Sequence, residues 1–306
     1  MTWSFHFSRP ALTVLAAATL LFGSCTAPRT IVSTGKVTPK GEFRVGGNLA
    51  FNVASETISK TGAALKSAAA ATVGKDTVGY SGTIDNLQVA ALAYVLDPVR
   101  PSSDLYVRYG ALDRLDVGYK YAFGSHVFDA AYQFMGPTGT VERPGGPAGA
   151  NYASIGLQFA TQRASLPSLP FLDNINNILG FRATRRDIIV PLVFSHSFGA
   201  EEEIGAVSYG VVYTHTFLRY GFEPNRIVNG NVKVPSILDQ KSNFPSFGGF
   251  VNAKLGYRYV YIIPSVGIYY QNYGTYQLLN NKTASLSGLT VVPSIGLQFR
   301  IPSNRR

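Results

Sequence analysis

The sequence predicts an all-β fold, a single closed antiparallel up-and-down transmembrane β-barrel of about ten strands with short helical insertions in its loops. Three observations predict it. A block recurs as Pro264-Ser265-Val266-Gly267-Ile268-Tyr269-Tyr270, Pro293-Ser294-Ile295-Gly296-Leu297-Gln298-Phe299 and, without proline, Ala153-Ser154-Ile155-Gly156-Leu157-Gln158-Phe159. In each copy apolar residues keep one parity and Ser, Gly, Gln or Tyr the other, the period of a strand with two unlike faces. Charged residues make up only 14% of the 306-residue chain, well under the roughly 25% of an average soluble domain. Tyr (18), Phe (19) and Gly (31) are abundant instead, as a sheet facing lipid outside and a crowded interior inside requires. Beyond the N-terminus no apolar run reaches the length of a transmembrane helix, so a chain that crosses a membrane must do so as a closed sheet.

The first 24 residues have the layout of an export signal: Arg9 in the leading region, an apolar run from Ala11 to Phe22, then Gly23-Ser24 before Cys25. Cys25 is the only cysteine, so an internal disulfide is excluded. Residues 25–40, with Pro28 and Pro39, read as a short polar tether.

The barrel is expected over residues 41–300, followed by a basic tail, 301–306. In the first strand Phe43, Val45, Leu49 and Phe51 share one parity and Glu42, Arg44, Asn48 and Asn52 the other. Residues 53–102 read as a structured insertion: an Ala-rich segment at 56–72 suggests a short helix, while the apolar run at 85–97 fits helix or strand by periodicity. A tight three-strand meander follows between Asp104 and Phe134, with short reversals at 111–114 and 124–125. Further strands are expected at 152–162, 187–197 (interrupted by Pro191, its facing open), 206–217, 247–258, 262–272 and 289–300. Connections alternate in length, with most long ones on one side and most short ones on the other, the asymmetry of outer-membrane barrels. Both termini then fall on the short-loop, periplasmic side.

The parity assigns faces. Expected lumen-lining residues are Glu42, Arg44, Arg108, Asp116, Lys120, Asp129, Gln158, Asn252, Lys254, Arg258 and Gln298. Expected lipid-facing residues are Phe43, Val45, Phe51, Leu157, Phe159, Val266, Ile268, Tyr270, Leu297 and Phe299. Lys or Arg facing lipid at midplane costs about 2–4 kcal/mol, which is why basic residues avoid the apolar parity. Charges of both signs inside suggest a lumen filled by its own side chains.

Gly23-Ser24-Cys25 resembles a bacterial lipoprotein signal, which implies that Cys25 becomes the lipidated first residue. Together with Gly41-Glu42-Phe43-Arg44-Val45-Gly46-Gly47, the meander Arg108 to Gly118 and the aromatic-ending last strand, the chain resembles the broad class of small outer-membrane β-barrel proteins of Gram-negative bacteria. The resemblance implies an outer-membrane location and three partners: outer-membrane lipids, the barrel-assembly machinery and the lipoprotein-sorting machinery. The role expected is a passive pore or carrier for small or apolar solutes, or a structural envelope protein.

Two other classes stand beside it: a soluble periplasmic lipid-binding β-domain held by a lipid, and a lipid-modifying barrel hydrolase. For the hydrolase, Ser195 and Ser197 flank His196, but neighbours on a strand point to opposite faces and cannot form a nucleophile and base. No catalytic residue, metal ligand set or cofactor motif is therefore assigned. Net charge is +10, yet no dense basic run occurs and export removes the chain from nucleic acid, so anionic head groups are the expected counter-charge. Arg182, Arg185 and Arg186 are noted as able to grip lipid phosphates from a loop, and Glu201-Glu202-Glu203 as a solvated acidic turn.

Overall fold

The fold is described from a computed structural model covering residues 29–55, 57–60, 78–79, 82–122, 124–164, 179–224, 227–230 and 232–303. Cys25, the export signal, most of the Ala-rich 56–72 segment and the turn expected near 171–179 lie outside these residues.

The strands are β1 (Phe43–Ala54), β2 (Val78–Gly79), β3 (Arg100–Leu112), β4 (Leu115–Ala122), β5 (Ser125–Met135), β6 (Asn151–Ala164) and β7 (Phe181–Phe198). They continue with β8 (Gly205–Phe222), β9 (Ile227–Asn229), β10 (Val232–Lys233), β11 (Ile237–Tyr257), β12 (Val260–Gln277) and β13 (Thr283–Ile301), and helix α1 spans Gly82–Leu96. Ten of them close a barrel in the order β1-β13-β12-β11-β8-β7-β6-β5-β4-β3, while β10, β9 and β2 form a small separate sheet. Closure depends on the first and last strands, which pair antiparallel with Phe43 opposite Ile301 and Leu49 opposite Ile295. The barrel is the ten-stranded, all-antiparallel one that the alternation predicts.

Outer faces follow the pattern. Phe43, Phe51, Leu157, Phe159, Val266, Ile268, Tyr270, Leu297 and Phe299 are exposed on the outside, and Val45 is half-buried on the same parity. The apolar band spans about eleven residues on each long strand: on β7 it runs from Ile188 to Phe198, with Arg182, Thr184 and Arg186 above it. Eleven residues rising about 3.3 Å each at a tilt near 40° cover roughly 28 Å, close to a bilayer core.

Five strands far exceed that length. β7, β8 and β12 have 18 residues, β13 has 19 and β11 has 21, so segments expected as loops at 163–186, 219–246 and 273–287 are partly strand. Their purpose is visible in what they cover. α1 is apolar on nearly all sides, and such a helix must be buried. Ile84, Leu87, Leu92 and Leu96 pack with Phe181, Leu218, Phe222, Phe244, Tyr276 and Leu286 from the inward faces of the long strands. The helix and the extended wall form a hydrophobic cap against the half of one mouth built by β7, β8, β11, β12 and β13, which also settles the ambiguous run at 85–97 as helix. Replacing Leu92, 1% exposed, by alanine leaves a cavity there and should cost about 2–5 kcal/mol. Urea unfolding of the refolded barrel measures this; a loss below about 1 kcal/mol would show that the cap packs loosely.

Candidate functional site

The interior of the barrel gathers many of the charged and polar side chains of the described strands, and its main occupant is the chain's own N-terminal segment. Residues 29–40, expected as a tether beneath the barrel, instead run through the lumen, from the capped end to the opposite mouth at β1. Ile31 and Val37 are about 5% and 4% exposed, Lys36 3% and Thr38 0%. Arg29, the first described residue, lies in the capped half of the lumen.

At the capped end Arg29 ion-pairs with Asp97, the residue just after α1, and donates to Gln271 at 2.6 Å. Asp97 also accepts from Asn52 at 2.5 Å, Gln271 at 3.0 Å, Tyr273 at 2.9 Å and Thr290. Beside this hub Arg185 is held by Asp187 at 2.9 Å and donates to the Leu96 carbonyl at 2.8 Å. A cation on the last carbonyls of α1 is the arrangement its dipole favours.

Lower down, Tyr269 donates to the Arg29 carbonyl at 2.6 Å, Lys120 to the Thr30 carbonyl at 2.9 Å and Asn252 to the Ser33 carbonyl at 3.0 Å. The Gly35 amide donates to Ser195 Oγ at 3.0 Å. A Cβ on Gly35 would lie 2.5 Å from the Tyr152 carbonyl oxygen, so only glycine lets the segment pass so close to β6. The Thr38 amide donates to Asp116 at 2.8 Å and the Val37 amide to Gln133 at 3.2 Å. Extended backbone needs partners for each N–H and C=O when buried, and here the barrel's polar parity supplies many of them.

The mouth at β1 is lined by charge. Arg44 lies opposite Arg300 on β13 and Arg108 on β3. Like charges in adjacent register repel, and interleaved carboxylates offset this. Arg300 is held by Glu42 at 2.5 Å and by Glu142 from the 136–150 loop, and Arg108 by Asp116 and Asp129, each at 2.6 Å. Arg44 donates to the Lys36 carbonyl at 2.9 Å. Hydrogen bonding from Arg300 holds the Glu142 carboxyl below the usual range.

The turn expected to be a solvated acidic one folds inward. Glu201 and Glu202 take left-handed backbone at φ 54 and 61, which turns both side chains into the lumen. Glu201 pairs with Lys36 and accepts from the Gly145 amide at 2.8 Å, and Glu202 pairs with Lys254 at 2.8 Å. Burial alone would raise the Glu202 carboxyl, but Lys254 and Arg44 hold it below its ordinary value. Only Glu203 stays outside, with Arg258 at 2.6 Å. Sequence spacing offered no sign of this inward turn, because it depends on two non-glycine residues at positive φ.

The residues expected to line the lumen therefore have these positions. Glu42, Arg44, Asp116, Lys120, Gln158, Asn252, Lys254 and Gln298 are buried inside, and Arg108 and Asp129 are half-buried there. Arg258 is the exception: it sits in the β11–β12 turn at φ 49, its side chain 45% exposed. The turn breaks the strand's alternation just before it, so its parity no longer predicts its face.

A cavity of about 70 Å³ lies between the N-terminal segment and the barrel wall, lined by Arg44, Asn48, Tyr106, Lys120, Ser154 and Gln158 among others. Buried polar atoms without a protein partner, such as Gln158 Oε1 and Asn48 Oδ1, face this region, as expected of a site that holds a few waters.

Among the described residues the histidines contribute nothing to the interior. His126, His196 and His215 lie on the outer parity, hydrogen-bonded to Tyr119 at 2.7 Å, Asn151 at 2.9 Å and Tyr213 at 3.2 Å. Ser195 and Ser197 face inward, away from His196. Among the described residues no cluster of His, Cys, Asp and Glu has a geometry that could hold a metal ion.

No protein-family model matches the chain, and no curated protein does so. Solved structures resembling it include the attachment invasion locus protein Ail of Yersinia pestis, at 10% identity over 86% of this chain and 99% of that one, with a TM-score of 0.31. Neisserial surface protein A gives 9%, 85%, 99% and 0.31, and a major outer membrane protein from Thermus thermophilus 10%, 85%, 99% and 0.33. Likenesses this distant carry no functional argument; the barrel assignment rests on the strand pairing of this chain.

Proposed function

We propose that this protein is an outer-membrane β-barrel whose lumen is stoppered by its own N-terminal segment, an envelope protein that does not conduct in this state. The observation that carries the proposal is residues 29–40 buried along the lumen and tied to several strands through Tyr269, Lys120, Asn252, Ser195 and Asp116. A membrane-spanning location is supported by the exposed apolar band, a large continuous patch of the kind that water-facing surfaces avoid. A soluble, lipid-anchored β-domain would need an open apolar interior for its lipid, whereas this interior is filled by ion pairs, by residues 29–40 and by the packed helix α1.

A second reading, a narrow path for water or small ions, is favoured by the polar cavity beside the segment. Lipidation at Cys25, outer-membrane lipids as surroundings, and the assembly and sorting machineries as partners belong to the same proposal.

Extraction tests the membrane assignment. Envelopes from expressing cells should release the protein only with detergent, and the folded form should run faster on gels unheated than boiled. Release in detergent-free buffer after enzymatic removal of the acyl anchor would favour the soluble domain and end the barrel proposal.

A further inference from the structure

We propose that the outer face of β6, β7, β8 and β11, just above the apolar band, is a binding site for the phosphate groups of anionic lipids. This inference rests on the membrane-spanning reading.

Register builds the patch. Across neighbouring strands Arg163 lies opposite Thr184, Thr184 opposite Arg219 and Arg219 opposite Lys241. One row nearer the band Thr161 faces Arg186 and Arg186 faces Phe217. The row after that is already Phe159, Ile188 and His215, so basic side chains meet the apolar wall within one repeat. Arg163, Arg186, Arg219 and Lys241 are all exposed. Arg185, grouped with its neighbours by sequence, is not part of the patch because it points into the lumen.

Two features point to a ligand. Arg219 and Lys241 are directly opposite on adjacent strands, where like charges destabilise a sheet, and among the described residues no carboxylate is ion-paired with either of them or with Arg186. Among the described residues the carboxylates near this patch are Glu223, which pairs with Arg182 at 3.3 Å, and Asp239, in the bulge before β11 continues. The second is position: one step beyond the apolar band β7 and β8 carry Arg186 and Arg219, where β12 and β13 carry Asn272 and Ser287. An anion seated between Arg219, Lys241 and Arg186 relieves their repulsion, and at this depth the anions available are lipid phosphates. Arginine forks suit phosphate oxygens, and each basic residue at a membrane surface strengthens the attraction.

The test is spin-label lipid association. The barrel is reconstituted in phosphatidylcholine vesicles and the motionally restricted fraction is compared for labelled phosphatidic acid and labelled phosphatidylcholine. The native chain should prefer phosphatidic acid about fivefold, and R186Q/R219Q/K241Q should bring the ratio close to one. The loop variant Arg143→Gln, at the opposite mouth, should keep the native preference, and unheated gel mobility verifies that each variant is folded. Added inorganic phosphate at millimolar concentration should leave the ratio unchanged; competition by it would place a free anion, not a lipid, on the patch and overturn the inference. A native ratio of one, or an unchanged ratio in a folded triple variant, would overturn it as well while leaving the barrel proposal standing. Failure of the native barrel to enter vesicles would instead remove the membrane reading and this inference with it.

Discussion

Replacing Gly35 by leucine should turn a silent barrel into a conducting one. In planar bilayers the native protein is expected to give no resolvable current steps, because residues 29–40 fill the lumen. A side chain at position 35 has no space: its first carbon alone would stand 2.5 Å from the Tyr152 carbonyl oxygen and 3.0 Å from Ser195 Oγ. Small-to-large changes in packed interiors cost about 1–3 kcal/mol, and the segment relieves the strain by withdrawing rather than by deforming a hydrogen-bonded wall. A variant lacking residues 29–37 supplies the same test without relying on strain. Its wall keeps the interlocked pairs Arg300–Glu42 and Lys254–Glu202, so it should fold, as unheated gel mobility can verify. Discrete openings in both variants with none in the native protein are the expected result. Steps of equal size in all three would show that the segment is no barrier, and silence in both folded variants would show that the lumen is closed without it.

Asp97→Ala should be the most damaging single substitution in the lumen. This carboxylate holds Arg29 from the segment, Asn52 from β1, Gln271 and Tyr273 from β12, and Thr290 from β13. It therefore joins the segment, the wall and the end of α1 at one point. Removing one member of a buried ion pair leaves the other charged and unsolvated, a loss of about 3–5 kcal/mol, larger than an exposed pair could produce. Asp97→Asn keeps the shape and part of the hydrogen bonding and should lose less. Equilibrium urea unfolding of both variants in the same vesicles decides it: equal, small losses would mean that water enters the hub and screens it. Because Arg29 depends on Asp97, the alanine variant should also show brief openings in the bilayer assay.

The outer wall was legible because its physics is local. Each strand residue alternates faces by backbone geometry, and placing Lys or Arg against lipid is expensive, so Phe43, Leu157, Ile268 and Phe299 declare their side one position at a time. Closure of β1 on β13 was readable for a related reason: an open edge is not tolerated in hydrocarbon. Arg258 marks where that logic stops, since a turn with positive φ resets the parity.

The interior was not legible in the same way. Glu201 and Glu202 read as a solvated turn, and nothing in their spacing reveals the left-handed backbone that sends them to Lys36 and Lys254. Residues 85–97 had no period to distinguish helix from strand, and became helix because five overlong strands provide an apolar wall that a helix fills. Most of all, residues 29–40 look like a tether when read alone. By itself the sequence determined a closed, ten-stranded barrel with an apolar outside, because those properties follow from single-residue solvation and a two-residue period. Only the tertiary structure decided that the lumen is occupied, because a segment with few apolar residues enters a barrel only where partners from distant strands meet its backbone groups at once.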